Sequence, residues 1–389
     1  MNNFIFQHHT DVVFGQGCVK EYLASFVEPY GPHVLLACGG GWVKRSGVYD
    51  LVYRILRKTG KQVTELSGIL PGPTLAKVQE GARLARESHA DLLLAVGGSS
   101  VVDCCKAVSL AAVSGGDLWE DFWARQGVVD FDPLPLGAVV TAPGAGSGMN
   151  GRAVLTNETL GVTIGRDYPQ CGPRFTLMDP SYTASVPRSR LISGGFDALS
   201  RLIELYFSPP DRETVTDDLA EALMRGMVRD LRAVAEAPED DNARSNLMWE
   251  TALAGDKLLQ LGKHAAFPCR QLARRLERCT GRPFAVCLAV LQPRCLRQAC
   301  LRDPRRFARF ARRVWDLSPE GRTAEELALA GLEALTEFIR ALGFPAALHG
   351  TGELSPEVLA AAAGEPVPPF SGEEVLALLQ ACLSGVAER

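Results

Sequence analysis

The chain of 389 residues has 47% hydrophobic and 22% charged side chains, which is typical of an ordinary folded protein of one or two domains. Its 41 basic and 45 acidic residues give a net charge of −4, which argues against a broad basic surface for nucleic acid. The N-terminal residues carry no basic segment followed by an apolar run, and apolar runs elsewhere are far shorter than a membrane span. We therefore predict a cytoplasmic protein with neither a nucleic-acid nor a membrane partner.

The first half of the chain alternates short apolar runs with amphipathic stretches. Strands are predicted at residues 33–38, 62–66, 91–96 and 136–141, and helices at 43–58, at 74–89 and directly after residue 100. Strands that alternate with helices of this length form βαβ units, so the sequence predicts a parallel sheet. The adjacent Cys104 and Cys105 fall in the third helix and are predicted to pack in the core as reduced thiols.

The pattern becomes helical from Pro187 onward. Capping boxes are predicted at Thr323–Glu326 and at Ser371–Glu374, each before an amphipathic helix. The sequence therefore predicts two domains, an α/β domain over residues 1–185 and an all-helical domain over residues 186–389.

Three glycine-rich turns follow predicted strands, at Gly39–Gly41, Gly97–Ser100 and residues 142–150. Glycines let the backbone approach a phosphate, and a helix N-terminus offers free N–H groups and the positive end of its dipole. Ligands of open α/β sheets bind beyond the strand C-termini, so three such turns indicate one nucleotide site. Each turn taken singly is equally consistent with a tight connection between strand and helix.

The glycine turns and the domain junction carry a family resemblance. Val96–Asp103 resembles the GGGS-x-x-D signature of the iron-activated, or group III, alcohol dehydrogenases, and Pro143–Asn150 is similar to that family's P-A-T-G-S-E-M-N turn. Met178–Pro180 and Gly194–Ser200 resemble its domain junction and the start of its metal-binding helix. The order and spacing of these motifs fit nearly the whole chain, closest to the butanol dehydrogenase-like branch.

The resemblance implies a Rossmann-like N-terminal domain that binds NAD(P)H and an all-α domain that carries Fe²⁺ or Zn²⁺, the fold of dehydroquinate synthase-like proteins. The implied activity is that of an NAD(P)-dependent alcohol dehydrogenase or aldehyde reductase, in which the metal polarises the carbonyl of a small alcohol or aldehyde substrate. The residues predicted to bind the cofactor are Gly39, Gly40, Gly41, Gly97, Gly98, Ser99, Ser100, Asp103, Thr141 and Ala145.

Only one of the four metal ligands of the family is kept. Asp197 matches the ligand aspartate, whereas Arg201, Arg274 and Phe284 stand at the three histidine positions. A guanidinium group has donors but no free lone pair, and a phenyl ring has none either. Because one carboxylate cannot hold a divalent transition ion in competition with water, we expect the family's Fe²⁺ or Zn²⁺ not to be bound.

The segment before Arg274 departs from the family in the same way. Arg270 and Ala273 replace a histidine and the glutamate of the family's H-x-I-E-H stretch. His264 is the one histidine in this region, and a surface or packing role is the favoured interpretation for a single histidine. Pro268 is predicted to disturb the helix that the family uses here.

The nucleotide preference is read from the residues after Gly41. No acidic residue follows to accept a ribose hydroxyl, whereas Lys44 and Arg45 are placed to meet a 2′-phosphate. This pattern favours NADP over NAD, although two solvated charges on a helix would give the same sequence.

Two interpretations of the altered metal site remain open. In the first, Asp197, Arg201 and Arg274 are catalytic, because their net charge of +1 equals that of a divalent ion with its ligands and arginine donors stabilise a developing oxyanion. In the second, Asp197 and Arg201 form an ion pair within one helix, and the protein is an inactive nucleotide-binding or partner protein of the same fold. Relatives often dimerise through an N-terminal strand, and Asp11–Phe14 is a candidate for such a homodimer contact.

Overall fold

The structure is a computed structural model that describes residues 2–6, 8–144, 146–209, 213–264, 268–348, 363–364 and 366–384. Its contacts divide the chain into two compact units. The α/β unit consists of Gln7–Pro187 and Thr251–Asp256, and the helical unit of Met1–Phe6, Arg188–Glu250 and Lys257–Arg389.

A six-stranded parallel sheet forms the centre of the α/β unit. Its strands are β1 (Asp11–Phe14), β2 (His33–Gly39), β3 (Gln62–Ile69), β4 (Leu92–Gly97), β5 (Leu136–Val140) and β8 (Phe175–Met178). The strand order is β1-β8-β5-β4-β2-β3, and each neighbouring pair is parallel. The predicted Rossmann-like parallel sheet is therefore confirmed. Between β5 and β8 the chain adds an antiparallel hairpin, β6 (Arg152–Asn157) and β7 (Val162–Asp167).

Helices cover both faces of this sheet. They are α1 (Cys18–Val27), α2 (Trp42–Arg45), α3 (Val48–Lys58), α4 (Leu75–Glu87) and α5 (Ser99–Ala111). Every residue of β4 is buried, which explains its unbroken apolar sequence. Leu93 and Ala95 of β4 lie in one core with residues of α4 and α5, while Leu92 and Leu94 lie in a second core with residues of α1 and α3. Cys104 and Cys105 are buried in the first of these cores, as predicted.

The predicted helix at 43–58 is wrong in one respect, because it is two helices. Gly47 breaks it with φ of 79°, a left-handed conformation that glycine adopts without a steric penalty. By contrast, the N-terminus of α4 is confirmed, since the Thr74 hydroxyl accepts the N–H of Lys77.

The helical unit confirms the all-α prediction for the second half of the chain. Its helices are α6 (Arg188–Tyr206), α7 (Val215–Glu236), α8 (Asp241–Ala254), α9 (Pro268–Thr280), α10 (Phe284–Arg302), α11 (Arg305–Trp315), α12 (Ala324–Ala341) and α13 (Gly372–Ser384). Both predicted capping boxes form: Thr323 and Glu326 exchange hydrogen bonds before α12, as do Ser371 and Glu374 before α13. Pro268 begins α9 instead of disturbing it, because a first helical residue needs no N–H donor.

A buried ion cluster fixes the start of α7. The side chain of Asp217 is 1% exposed and lies 2.5 Å from Lys263 Nζ and 2.5 Å from Arg306 Nη2. The same carboxylate accepts the backbone N–H of Thr214, which closes the capping box of α7. Two cations around one carboxylate make this cluster depend on the charge of Asp217.

The unit boundary differs from the predicted division at residues 185 and 186. It falls after Pro187, and the short segment Thr251–Asp256 belongs to the α/β unit. The segment is held there because Thr251 Oγ1 accepts the N–H of Gly144, and the carbonyl of Gly255 accepts Asn150 Nδ2. These contacts join residues far apart in sequence, so no local pattern marks them.

Helix α10 is long and apolar enough, by length and composition, to cross a membrane. Half of that stretch is buried inside the protein, and Pro293 lies within the helix. A core helix satisfies the same criteria, and α10 packs against α6, α9 and α12.

Candidate functional site

The first group of candidate residues lies at the C-terminal ends of β4 and β5. Gly98 is the N-cap of α5 and has no side-chain hydrogen bond, so the first-turn N–H groups of Ser99 and Ser100 face no capping side chain. A Cβ at Gly98 would meet nothing within 4 Å, which leaves open space beside this helix N-terminus. Such a terminus has the dipole and the donors that a phosphate needs.

The glycine-rich turn after β5 lies against the same helix start. The N–H of Thr141, a buried residue, donates to the carbonyl of Gly97 over 3.1 Å. A Cβ at Gly144 would come within 2.2 Å of Ser99 Oγ and 3.5 Å of Ser99 Cβ, so the turn passes directly over the side chain of Ser99. The structure thus brings together two glycine turns that are separated in sequence. Ala145, also predicted to contact the cofactor, lies outside the described residues.

Asp103 lies inside the unit instead of at the rim of the turns. One carboxylate oxygen accepts the N–H of Val154 over 3.2 Å, and the other lies 3.8 Å from Lys106 Nζ. Lys106 in turn donates to Asn150 and to the carbonyl of Arg152. Burial raises the pKa of Asp103 despite the nearby lysine. These contacts tie α5 to the hairpin, which positions the helix whose N-terminus carries the turn.

The third turn, Gly39–Gly41, follows β2 and has an acidic neighbour that sequence analysis missed. Lys44 Nζ lies 2.5 Å from Glu65 of β3 and 4.8 Å from the ring centre of Tyr49. The hydroxyl of Tyr49 also donates to Glu65. Burial would raise the pKa of Glu65, but the hydrogen bonds from Lys44 and Tyr49 outweigh it and hold that pKa below its usual value. Lys44, one of the two residues predicted to meet a 2′-phosphate, is therefore already paired with a carboxylate.

A second group of candidate residues lies in the helical unit, where α6, α9 and α10 contact one another. Asp197 and Arg201 come from α6, Arg270 and Arg274 from α9, and Phe284 begins α10. Nη1 of Arg270 donates to the carboxylate of Asp197 and, over 3.2 Å, to its backbone carbonyl. The bonded cation comes from the neighbouring helix, which differs from the predicted pairing of Asp197 with Arg201 within α6.

The charge of Asp197 is fixed by its surroundings. Burial alone would raise its pKa, but the guanidinium of Arg270, and after it those of Arg201 and Arg274, hold the pKa of Asp197 below its usual value. Asp197 is therefore ionised at neutral pH. The three guanidinium groups keep their charge under all ordinary conditions.

Phe284 joins the two arginines of α9. The guanidinium carbon of Arg274 lies 3.8 Å from the centre of the ring and that of Arg270 lies 5.0 Å from it. Both distances are within the range of a cation–π interaction. Arg274 also donates to Glu277 over 2.6 Å, a contact between residues one helical turn apart.

A second carboxyl group of α6, Glu204, lies close to the same cluster. Burial raises the pKa of Glu204 to about 8, with the charge of Arg270 opposing the effect. Glu204 therefore holds a proton at neutral pH and adds no negative charge.

A divalent transition ion does not fit this arrangement. Asp197 is the one residue predicted to match a metal ligand of the family, and its carboxylate is hydrogen bonded to Arg270. Within the described ranges, no three side chains of His, Cys, Asp or Glu come together as ligands. His264, the one histidine considered as a replacement, is exposed. Guanidinium and phenyl groups offer no lone pair to a metal ion.

The sequence pointed to Asp197, Arg201 and Arg274, and the structure brings them within electrostatic reach of each other. It also adds Arg270, Glu204 and Glu277, which were missed as members of the cluster. A local signal existed for Arg270, because it lies four residues before Arg274 and shares its helical face. No comparable signal existed for Glu204.

Comparison with known proteins agrees with this architecture. Residues 9–180 match the family described as iron-containing alcohol dehydrogenase, and residues 191–371 match the C-terminal domain of the Fe-containing alcohol dehydrogenase family. The chain is 34% identical over 345 residues to the probable NADH-dependent butanol dehydrogenase 1 of Bacillus subtilis, covering 89% of this chain and 88% of that protein.

Two further relatives extend the comparison. The NADPH-dependent aldehyde reductase YqhD of Escherichia coli is 31% identical over 356 residues, covering 90% of each chain. The crystal structure of NADH-dependent butanol dehydrogenase A from Thermotoga maritima superposes with a TM-score of 0.89 at 29% identity and covers 99% of both chains. The chain therefore belongs to the iron-containing alcohol dehydrogenase family, in its butanol dehydrogenase-like branch.

Proposed function

We propose that this protein is an NAD(P)H-dependent aldehyde reductase and alcohol dehydrogenase whose arginine cluster takes the place of a metal ion. The observation that carries the proposal is the hydrogen bond from Arg270 to Asp197, with Arg274 and Arg201 beside it. Fixed positive charge in a partly buried site stabilises an oxyanion without any metal.

Nucleotide binding is assigned to the turns of the α/β unit. The uncapped start of α5 and the open space beside Gly98 fit a pyrophosphate, and Gly144 would allow the neighbouring turn to approach it. The cofactor, when bound, supplies the hydride. Similar proteins carry names that specify NADH in some cases and NADPH in others, so both nucleotides belong in the test.

The helical unit would act on the carbonyl oxygen. A guanidinium N–H donating to that oxygen draws electron density from the carbonyl carbon, which then accepts the hydride. The reduced oxygen takes a proton from water, which reaches the cluster because the side chain of Asp197 is 25% exposed. In the reverse direction the same groups hold the alcohol while it loses a hydride and a proton.

The test combines metal analysis with turnover on one sample. The full chain, purified and treated with a chelator, should oxidise NADH or NADPH when a short aldehyde is added, and should contain no stoichiometric iron or zinc. Arg270→Met should reduce kcat/KM by about tenfold to hundredfold, the loss expected for one charged donor to a transition state. Activity that requires added Fe²⁺ or Zn²⁺ would refute the proposal.

A revertant supplies the matching positive control for the metal argument. Restoring histidines should create a site that binds Zn²⁺, because three imidazoles and one carboxylate form a normal coordination shell. Arg270 has to be replaced as well, since it occupies the carboxylate of Asp197. The substitutions are Arg201→His, Arg270→His, Arg274→His and Phe284→His.

Nucleotide binding without turnover in the unmodified protein would instead identify it as a non-catalytic binding protein.

A further inference from the structure

Two arginines of the cluster have hydrogen-bond donors that no described residue accepts. Arg270 and Arg274 are four residues apart on α9, so they project from one face of that helix. Each uses only Nη1 for its hydrogen bonds, Arg270 to Asp197 and Arg274 to Glu277. The Nε and Nη2 atoms of both residues make no hydrogen bond to any residue that the structure describes.

These donors lie beside an apolar wall and close to solvent. Both guanidinium carbons are within 5.0 Å of the ring centre of Phe284, which keeps water from one side of the groups. The side chain of Arg274 is 43% exposed and that of Arg270 is 17% exposed. A small molecule can therefore reach Arg274 first and Arg270 behind it.

The charge of the cluster favours an anion. Three guanidinium groups act on the single carboxylate of Asp197, and two of them, Arg270 and Arg274, carry the Nε and Nη2 donors described above. A neutral aldehyde offers these charged donors a single uncharged acceptor oxygen. A planar carboxylate matches the two parallel N–H bonds that the edge of a guanidinium offers.

We propose that the arginine pair Arg270 and Arg274 binds the carboxylate of an anionic substrate, so that the protein acts on short oxo acids and hydroxy acids instead of neutral alcohols. Arg274, the more exposed residue, anchors the carboxylate. Arg270, held in place by Asp197, faces the carbonyl oxygen. This inference rests on the proposed function for the reacting carbonyl, but the anion site itself stands on the arginine geometry.

The first experiment measures binding without turnover. Calorimetric titration of the full chain, saturated with the nucleotide that it binds, compares butanoate with butanamide, which has the same size and no charge. Butanoate should bind about tenfold to hundredfold more tightly, the range expected for charge-assisted hydrogen bonds. Equal affinity for the two probes would overturn the inference. Inorganic phosphate is a third arm, and binding of phosphate more tightly than butanoate would overturn the carboxylate assignment.

Two variants locate the site. Arg274→Gln should weaken butanoate binding about tenfold and leave butanamide binding unchanged, since it removes one charged donor from an exposed position. Arg312→Gln is the control, because Arg312 is exposed on α11, a helix that contributes no residue to the cluster. An equal loss in both variants would show a general effect of net charge and would refute the assignment. Thermal unfolding of each variant, without ligand, checks that both are folded.

Turnover separates this inference from the proposed function. The chain should reduce 4-oxobutanoate with a kcat/KM at least tenfold above that for butanal, which has the same carbon chain. Equal rates for the two aldehydes would refute the anionic substrate while supporting the reductase. Butanoate binding that depends on Arg274, together with no turnover of either aldehyde, would support the anion site and refute the reductase.

Discussion

Replacing Arg270 by methionine should destabilise the helical unit, because it leaves the carboxylate of Asp197 without its bonded cation. Loss of one partner from a buried ion pair costs about 3–5 kcal/mol. The side chains here are 17% and 25% exposed, so water partly solvates the remaining carboxylate. We therefore expect a loss of about 2–3 kcal/mol, which corresponds to a fall of roughly 5–10 °C in Tm for a domain of this size.

The cause of that loss is tested by a second substitution. Asp197→Asn removes the stranded charge, so the double variant Asp197→Asn with Arg270→Met should be more stable than Arg270→Met alone. The coupling between the two substitutions is expected to be about 2 kcal/mol. Thermal and urea unfolding followed by circular dichroism measures all four proteins. Arg278→Met, on the same helix and outside the cluster, is the control and should change Tm little.

The pH dependence of folding stability is a second test of the same ion pair. In the unmodified protein the pKa of Asp197 is lowered, so its contribution to stability is present above the unfolded-state pKa of about 3.9 and is lost as pH falls through the folded value. In Arg270→Met burial dominates, the pKa of Asp197 rises, and stability falls as pH increases toward 7. The difference in stability between the two proteins should therefore shrink between pH 7 and pH 5. A difference that is constant over this range, or a Tm unchanged by Arg270→Met, would refute the reasoning.

Three further substitutions test other carboxyl groups of the protein. Glu65→Gln should raise the affinity for NADPH relative to NADH about tenfold, since it releases Lys44 for a 2′-phosphate, and an unchanged ratio of the two Kd values would contradict this. The raised pKa of Glu204 stabilises the folded state only while the carboxyl is protonated, so the unmodified protein should lose stability as pH rises toward about 8. Glu204→Gln should abolish that loss. Asp217→Asn should cost about 3–5 kcal/mol in urea unfolding by leaving Lys263 and Arg306 without their shared carboxylate, and a loss below 1 kcal/mol would argue against that cluster.

The prediction that the family's metal is not bound needed residue types alone. Arg201, Arg274 and Phe284, the residues predicted at three of the ligand positions, carry no lone pair for a metal ion in any conformation. The parallel sheet was predictable for a related reason. Continuous apolar segments such as Leu92–Val96 cannot be exposed on either face, and strands of that kind alternate with helices in βαβ units.

The partners of the charged residues were decided only by the tertiary structure. Asp197 meets Arg270 because α6 and α9 cross in the helical unit, and Lys44 meets Glu65 because β3 lies next to β2. Both pairs join residues more than twenty positions apart, and one carboxylate attracts any nearby cation with similar strength. Sequence reasoning saw the local candidate, Arg201, one turn along the same helix. Which cation a carboxylate takes depends on how helices and strands pack, and hydrophobic burial far from either charge sets that packing.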